Sequence, residues 1–213
     1  MSIEVKICGL TDPVAVAAAV EGGARWTGFV FFSPSPRNVS IDTAAVLSRE
    51  VPGHVGRVGL FVNPEDPFLD DVMAHVELDM IQLHGHEPVA RVREIKARFQ
   101  RPVMKAIGIG SPADLALARR FEDVADRLLF DAKPPPGASR PGGNALAFDW
   151  NMLAGHSWSV PWMLAGGLDA NNLRTAVTTT RALAVDVSSG VEDVPGLKNP
   201  DKIRALLDLA RTL

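Results

Sequence analysis

Short runs of β-branched and other apolar residues alternate with segments of helical period along the whole chain. The apolar runs predict eight strands, which cover residues 3–8, 27–31, 55–62, 80–84, 102–107, 127–131, 161–165 and 183–187. Most positions within a run are apolar, rather than every second one, and this is typical of strands buried on both faces. The pattern therefore predicts a parallel sheet covered by helices.

The segments between the strands predict helices, and proline and glycine mark several of their ends. The predicted helices cover residues 13–21, 42–50, 67–76, 87–99, 112–121, 149–153, 169–178 and 200–213. Pro13 and Pro112 stand at first helical positions, where the missing N–H costs no hydrogen bond. Regular alternation of strand and helix predicts parallel strands joined by right-handed crossovers.

Eight strand–helix units predict an α/β fold in which the chain closes into a barrel. With 213 residues and no change of composition that would mark a linker, we expect one domain, 1–213, folded as a small (β/α)8 TIM barrel. The alternative is an open doubly wound sheet. That fold would favour a glycine-rich dinucleotide turn after the first strand, and Cys-Gly-Leu-Thr-Asp at 8–12 is not G-x-G-x-x-G.

The composition narrows the class of protein. Apolar residues make up 46% of the chain, and the net charge is −3 without a basic stripe, which disfavours a nucleic-acid partner. The longest apolar runs are far shorter than the roughly 20 residues of a membrane span, and we see no secretory signal. Because the lone cysteine, Cys8, fits a reducing compartment, we expect a cytoplasmic protein without a membrane partner.

Polar residues stand at the carboxyl ends of the predicted strands, which all face one side of a barrel. They are Cys8, Arg37 in the loop after the second strand, His84, Lys105, Asp131 and Asp186. Ionisable residues gathered on that rim are typical of a catalytic site in this architecture. Cys8 has no second cysteine for an intramolecular disulfide, so its role is reactivity or, as is commoner for free cysteine, packing.

Two turns that contain glycine predict a phosphate site. Gly166-Gly167 and Ser188-Ser189-Gly190 follow the seventh and eighth strands, where barrels frequently bind phosphate. Glycine lets the backbone approach an anion closely, and N–H groups at a helix start point toward it. The alternative is that both segments are only tight turns.

Asp131 ends the sixth strand directly before a long loop, 133–144, that is rich in proline and glycine. One interpretation is structural, as a cap or as an ion-pair partner of Lys105 or Lys133. The other is a general acid that keeps its proton in a dry environment. The loop could provide that environment by closing over the substrate.

Cys8 would be the base that acts opposite Asp131. A thiolate base needs a lowered pKa. We expect Lys6 to lie on another strand face, so a phosphate-site dipole or Lys105 is the favoured cause of that lowering.

Arg37 lies in a loop without helical neighbours for an ion pair. It is therefore either exposed to solvent or a fork for a substrate carboxylate, which a planar guanidinium binds through two hydrogen bonds. His84 and His86 suggest a metal site, but no nearby cysteine or third histidine completes a ligand set. We predict no metal and a structural role for this histidine pair.

Several short segments stand in a specific order along the chain. They are 6–11 (Lys-Ile-Cys-Gly-Leu-Thr), 28–31 (Gly-Phe-Val-Phe) with 35–37 (Ser-Pro-Arg), 58–63 (Val-Gly-Leu-Phe-Val-Asn), 82–85 (Gln-Leu-His-Gly), 129–131 (Leu-Phe-Asp), 142–143 (Gly-Gly) with 148–150 (Phe-Asp-Trp), 164–168 (Leu-Ala-Gly-Gly-Leu), 185–192 (Val-Asp-Val-Ser-Ser-Gly-Val-Glu) and 195–196 (Pro-Gly) with Lys198. Taken together, these segments make the sequence resemble phosphoribosylanthranilate isomerase of tryptophan biosynthesis over essentially its whole length.

The resemblance implies a cofactor-free Amadori rearrangement of N-(5'-phosphoribosyl)anthranilate to the corresponding 1-deoxyribulose phosphate. It assigns the general acid that opens the furanose ring to Asp131, and the base that removes the C2′ proton to Cys8. It assigns the substrate carboxylate to Arg37 and the phosphate to the two turns described above. We add Asp186 as a residue near the substrate nitrogen, and either a monomer or a homodimer is expected.

Two alternatives stay open. A related histidine-pathway aminoaldose isomerase would usually carry an aspartate in place of Cys8 and would have room for a second phosphate. A non-catalytic phospho-sugar-binding barrel would bind its ligand without turnover.

The chain also departs from the family pattern. Asn144-Ala145 replaces the usual Thr-Gly, and Leu146 takes a place often held by lysine, so we expect a stiffer loop. The pair at 25–26, Arg-Trp, replaces an Ala-Asp-like pair away from the site, and we expect no effect on catalysis.

Overall fold

The computed structural model describes residues 3–134, 137, 140–143 and 147–213. Eight parallel strands form a closed barrel in sequence order, and the last strand pairs with the first. These strands, β1 to β8, are Glu4–Cys8, Trp26–Phe31, Gly56–Phe61, Met80–Leu83, Val103–Ile109, Arg127–Ala132, Trp162–Leu164 and Ala184–Val187. The predicted (β/α)8 barrel is therefore confirmed, and the closure excludes an open sheet.

The described residues contain seven α-helices, and they follow the strands as the alternation predicts. These helices, α1 to α7, are Pro13–Glu21, Ile41–Arg49, Asp66–His75, Val89–Phe99, Pro112–Arg119, Leu173–Thr180 and Pro200–Ala210. The short helix predicted between β6 and β7 is a 3-10 turn, Trp150–Leu153. In the ranges given above, no helix is long and apolar enough to span a bilayer.

A small hairpin follows β8, and the sequence pattern does not predict it. Its two antiparallel strands, β9 and β10, are Glu192–Val194 and Leu197–Lys198. The turn between them contains Gly196 with φ of +92°, a conformation that favours glycine. The hairpin folds back toward the β2 loop, because Gly196 packs on the carbonyl oxygen of Pro36.

The ends of helices and strands follow from local hydrogen bonds. Asp12 and Ser40 each accept a hydrogen bond from a backbone N–H in the first turn of α1 and α2, which supplies a partner that the helix itself cannot. Strand β5 extends beyond its predicted end, because Gly108 pairs with Asp131 of β6 and continues the ladder. The predicted strand ends at residue 107, so that predicted boundary is wrong.

Alternate residues of each strand point into the barrel, and this alternation decides which side chains reach its mouth. Trp26 packs against an apolar cluster that fills the interior: Val58, Met80, Met104, Ala106, Leu129, Met163, Ala165 and Ala184. The other strand positions face the helices and form the larger core. On β1, Lys6 and Cys8 are two positions apart and therefore share the inward face.

Candidate active site

A cavity opens at the carboxyl end of the barrel, where the predicted site residues meet. Its volume is about 770 Å³ with the open mouth and the solvent space above it included. The predicted residues that line it are Cys8, Arg37, Asp131, Gly166, Gly167, Asp186, Ser188 and Ser189. The structure thus brings together every predicted site residue except Gly190.

The two predicted phosphate turns lie side by side at this mouth. We call Gly166-Gly167 the β7 turn and 188–190 the β8 turn. Gly166 and Gly167 have φ values of +89° and +62°, which favour glycine. A Cβ on Gly190 would collide with the carbonyl oxygen of Leu168. Gly190 therefore packs the β8 turn against the residue that follows the β7 turn, and its phosphate contact stays a prediction.

Cys8 lies at the end of β1 beside a buried ion pair. Lys6 Nζ donates to Asp186 Oδ1 at 2.9 Å, and both side chains are buried. Gly28 of β2 leaves the space for them, since a Cβ there would lie 3.0 Å from Cys8 Sγ and 3.1 Å from Lys6 Cε. Burial opposes the charge of Lys6, but Asp186 and Cys8 outweigh it and raise the pKa of Lys6. A cation therefore stands next to the thiol.

Burial raises the pKa of the Cys8 thiol, contrary to the sequence expectation. Desolvation of the thiolate is the main cause, the charge of Lys6 lowers the pKa, and Asp186 raises it again. The expectation that Lys6 lies on another strand face is also wrong. Lys6 and Cys8 share the inward face of β1. The positive charge of Lys6 is therefore the largest effect that lowers the pKa of the thiol.

Lys105 does not reach the cavity, although it stands near the end of β5. Its neighbours on the strand point into the barrel, so Lys105 points toward the helices. Its Nζ donates to Glu87 Oε2 and to the carbonyl oxygen of Gly85, both at 2.8 Å. The expected action of Lys105 on Cys8 and its interpretation as a partner of Asp131 are therefore wrong.

Asp131 of β6 is held by a histidine. His84 Nε2 lies 3.2 Å from Asp131 Oδ2, and Asp131 Oδ1 accepts the Ala132 N–H at 2.8 Å. Gln82 Nε2 lies 3.3 Å from His84 Nδ1. Lys133, the other partner weighed for Asp131, pairs with an aspartate of α5 instead.

The described part of the loop after β6 covers Asp131. A Cβ on Gly142 would lie 2.7 Å from His84 Cε1 and even closer to Asp131 Oδ2. This glycine therefore sits directly on the carboxylate and shields it from solvent. The predicted stiffening by the substituted segment 144–146 lies outside the described residues.

Arg37 is buried, so the interpretation that exposes it to solvent is wrong. Nε donates to Glu192 Oε1 at 2.7 Å and Nη2 donates to Oε2 at 2.8 Å. Nη1 donates to the carbonyl oxygen of Gly143 at 3.4 Å. Gly9, with φ of +77°, gives the side chain its path, because a Cβ there would lie 2.6 Å from Arg37 Cδ. Glu192 also accepts from Lys198 Nζ at 2.5 Å.

The two histidines considered for a metal site separate. His84 is buried in the cavity wall, whereas His86 is exposed. Among the residues that the structure describes, no three histidine, cysteine or carboxylate side chains are grouped as a metal would need.

Three groups that shape the site were missed from the sequence as site residues: Gln82, Glu192 and Lys198. Gln82 could have been found, because it lies two positions before His84 on the same inward face of β4. Glu192 and Lys198 stand in segments quoted for the resemblance. Nothing in their spacing shows that the hairpin brings them to Arg37.

The sequence is similar to that of known proteins over nearly the whole chain. The model of the family described as N-(5'phosphoribosyl)anthranilate (PRA) isomerase matches residues 5–209. The N-(5'-phosphoribosyl)anthranilate isomerase of Paramagnetospirillum magneticum is 56% identical over 99% of this chain and 98% of its own length. That of Paracoccus denitrificans is 58% identical over 97% of this chain and 96% of its own length.

Solved structures show the same similarity in the fold. Phosphoribosyl anthranilate isomerase from Thermotoga maritima matches with a TM-score of 0.88 and 38% identity, over 99% of this chain and 100% of that chain. A structure of the isomerase in complex with reduced 1-(o-carboxyphenylamino)-1-deoxyribulose 5-phosphate matches with a TM-score of 0.83 and 35% identity, with the same coverage.

Proposed function

Because the chain belongs to the N-(5'-phosphoribosyl)anthranilate isomerase family, we propose that Asp131 and Cys8 are the acid and the base of its reaction. The resemblance seen in the sequence is confirmed, and the chain is an enzyme that isomerises N-(5'-phosphoribosyl)anthranilate in tryptophan biosynthesis. The shared name of the relatives favours this reaction over the histidine-pathway isomerase and over a non-catalytic barrel.

The two anionic ends of the substrate are bound first in this proposal. Arg37 binds the anthranilate carboxylate, because a guanidinium pairs with a carboxylate through charge-assisted hydrogen bonds. The β7 and β8 turns bind the phosphate through backbone N–H groups that the glycines leave accessible. Since Arg37 and the turns line the same cavity as Asp131 and Cys8, the ribose lies within reach of both.

Asp131 opens the furanose ring in the first chemical step. Its carboxyl proton goes to the ring oxygen, the C1′–O bond breaks, and the nitrogen lone pair forms the C1′=N bond of an imine. His84 Nε2 orients the carboxyl group at 3.2 Å. Gly142 limits the access of water to it, which favours proton transfer to the substrate over exchange with solvent.

Cys8 takes the C2′ proton in the second step. The electrons of the C2′–H bond form a C1′=C2′ bond, and the positive charge on the imine nitrogen is neutralised. The resulting enol becomes the ketone when a proton is added at C1′. Two protons leave the substrate, from C2′ and from the O2′ hydroxyl, and two enter, at the ring oxygen and at C1′, so the reaction is balanced without an oxidant or a cofactor.

Lys6 and Asp186 set the charge around this step. Asp186 faces the cavity and lies near the substrate nitrogen in our proposal, where a carboxylate stabilises the cationic imine. Lys6 stabilises the thiolate of Cys8, because it is the leading cation that lowers the pKa of the thiol.

The observation that carries the proposal is the shared cavity of Cys8, Asp131, Arg37 and the two turns. The test is a fluorescence assay of phosphoribosylanthranilate consumption by the purified protein, with Cys8→Ser beside it. We expect turnover by the unmodified protein and a large loss in the variant. Absence of turnover in the unmodified protein would contradict the function, and native turnover in Cys8→Ser would contradict only the role of the thiol.

The remaining expectations concern assembly and location. We propose that 1–213 acts as one catalytic unit in a monomer or homodimer, since described residues of this chain from strand ends and loops line the cavity. The name of one similar structure mentions monomers of a dimeric isomerase from Thermotoga maritima. A cytoplasmic location, without a nucleic-acid or membrane partner, stays a prediction.

A further inference from the structure

The guanidinium of Arg37 is held along one edge before any substrate arrives. Glu192 occupies the edge made by Nε and Nη2, with hydrogen bonds of 2.7 and 2.8 Å. A guanidinium has five N–H donors. One on Nη1 donates to the carbonyl oxygen of Gly143 at 3.4 Å, so one on Nη1 and one on Nη2 remain. The edge made by Nη1 and Nη2 is therefore the fork available to a second carboxylate. Glu192 thus fixes which edge of the Arg37 guanidinium faces the cavity.

The same carboxylate also reaches the β8 turn. Glu192 Oε1 accepts from Lys198 Nζ at 2.5 Å. Lys198 Nζ donates in turn to the carbonyl oxygen of Ser188 at 3.1 Å and to its Oγ at 3.2 Å. Ser188 Oγ donates to the carbonyl oxygen of Cys8 at 3.0 Å. One side chain therefore connects the carboxylate fork, the β8 turn and the end of β1.

The charges of this cluster suit an anionic ligand. One carboxylate, Glu192, lies between two cations, Arg37 and Lys198, which leaves one positive charge at the cavity wall. Burial opposes the charge of Glu192, but Arg37 and Lys198 outweigh it and hold the pKa of Glu192 below its usual range. A buried charge that is paired on both oxygens is rigid, because leaving either partner alone is costly.

We propose that Glu192 is a positioning residue that fixes Arg37 and the β8 turn relative to each other, so that both anionic ends of one substrate bind together. The inference rests on the proposed roles of Arg37 and of the turn. It predicts that loss of Glu192 weakens substrate binding more than it slows the chemical steps, because Cys8 and Asp131 keep their own contacts.

The test is the steady-state kinetics of Glu192→Gln, which keeps the size of the side chain and removes its charge. We expect KM to rise about 10–100-fold, the loss typical when the groups that orient metal-ligating side chains are removed, with kcat little changed. The matched control is Asp79→Asn, which removes the carboxylate of a similar fork to Arg57 at the other end of the barrel. KM of this control should stay native.

A double-mutant cycle with Arg37→Ala distinguishes a role of Glu192 that acts through Arg37 from a merely structural role. If Glu192 acts through Arg37, Glu192→Gln should raise KM far less in the Arg37→Ala background than alone. Independent, multiplicative effects would overturn the proposal, and so would native KM in Glu192→Gln. If Glu192→Gln does not fold, Glu192→Asp keeps the charge but withdraws it by one methylene, and its KM should still rise.

The outcomes also separate this inference from the proposed function. An unmodified enzyme without turnover contradicts the function itself. Turnover together with a raised KM in Arg37→Ala and a native KM in Glu192→Gln and Glu192→Asp contradicts only the role of Glu192.

Discussion

Two arginine–carboxylate forks of similar shape stand at opposite ends of the barrel, and they differ in burial. Arg37 and Glu192 are joined by hydrogen bonds of 2.7 and 2.8 Å, with 4% of each side chain exposed. Arg57 and Asp79 are joined by hydrogen bonds of 2.8 and 3.0 Å, with 16% and 41% exposed. The first fork borders the cavity, and the second lies at the amino ends of β3 and β4.

The difference shows at which end of the barrel the chain buries charged side chains, which are costly to remove from water. Removing an ion from water costs several kcal/mol, and a buried ion pair often stabilises a fold less than apolar residues of equal volume. The carboxyl end nevertheless buries both the Arg37–Glu192 pair and the Lys6–Asp186 pair. Ligand recognition explains this concentration of buried charge at the mouth better than stability does.

The amino end of the barrel is closed by an apolar side chain instead. Trp26 packs against the interior cluster, with Gly56 directly beneath its ring. The guanidinium groups of Arg25 and Arg127 lie 4.7 and 5.6 Å from the ring centroid, as in cation–π contacts. We therefore expect changes at the amino end to alter stability and changes at the carboxyl end to alter kinetics.

The largest effect is expected from Asp131→Asn. The amide cannot transfer a proton to the ring oxygen, and general acids typically contribute about 10²–10⁴-fold, so kcat should fall by about that factor. Steady-state kinetics measure this loss, and binding of a phosphate-bearing product analogue serves as the control because it should be preserved. A variant that turns over at the native rate would remove Asp131 from the mechanism.

Trp26→Ala is expected to lower stability and leave the chemistry intact. Loss of a buried tryptophan costs about 3–5 kcal/mol, and the half-buried ring of Trp26 suggests the lower limit. For a chain of this size, about 3 kcal/mol lowers Tm by about 6–12 °C. Thermal unfolding measures the shift, with kcat at a temperature where the variant is folded as the control. A fall in kcat at unchanged Tm would contradict the expectation that the amino end of the barrel affects stability and the carboxyl end affects kinetics.

The pH dependence of Cys8 tests the carboxyl end alone. Since burial raises the pKa of the thiol, the thiol is protonated at neutral pH and the reactive thiolate increases as pH rises. Alkylation by iodoacetamide should therefore accelerate about tenfold for each pH unit below the pKa. Lys6→Met should slow alkylation further, because the lost cation raises the pKa again. Alkylation that is already independent of pH at neutrality would contradict a raised pKa.

The smallest effect is expected from Asp79→Asn. An ion pair exposed to this degree contributes about 0–1 kcal/mol, and its site is remote from the cavity. The free energy of unfolding should therefore fall by no more than about 1 kcal/mol in chemical denaturation, with native kcat and KM. A raised KM in this variant would mean that forks at both ends affect substrate binding.

The fold could be predicted because local signals repeat along the chain. Pro13 at the first position of α1 and Gly22 directly after Glu21 give that helix the bounds that the structure has. Gly108 misleads, because a glycine after an apolar run resembles a loop. Its place in β5 comes from pairing with Asp131, a contact between strands that no local signal contains.

The mouth of the barrel could be predicted in outline, since strand ends converge there whatever the details of packing. The partners within it could not all be read from the sequence. Side chains alternate between the two faces of a strand. Counting by two along each strand would therefore have placed Lys6 on the same face as Cys8 and would have excluded Lys105 from the cavity. The pairing of Arg37 with Glu192 joins residues 155 positions apart, and it depends on a hairpin without a local signal.

The central claim is that Cys8 removes the C2′ proton, and single-turnover kinetics of Cys8→Ser at saturating substrate test it most directly. Serine keeps the shape of the residue but is a far weaker acid, so it has no accessible anion to accept a proton. We predict that ring opening persists and that product formation is slowed at least about 100-fold. Product formation at the native rate would contradict the claim.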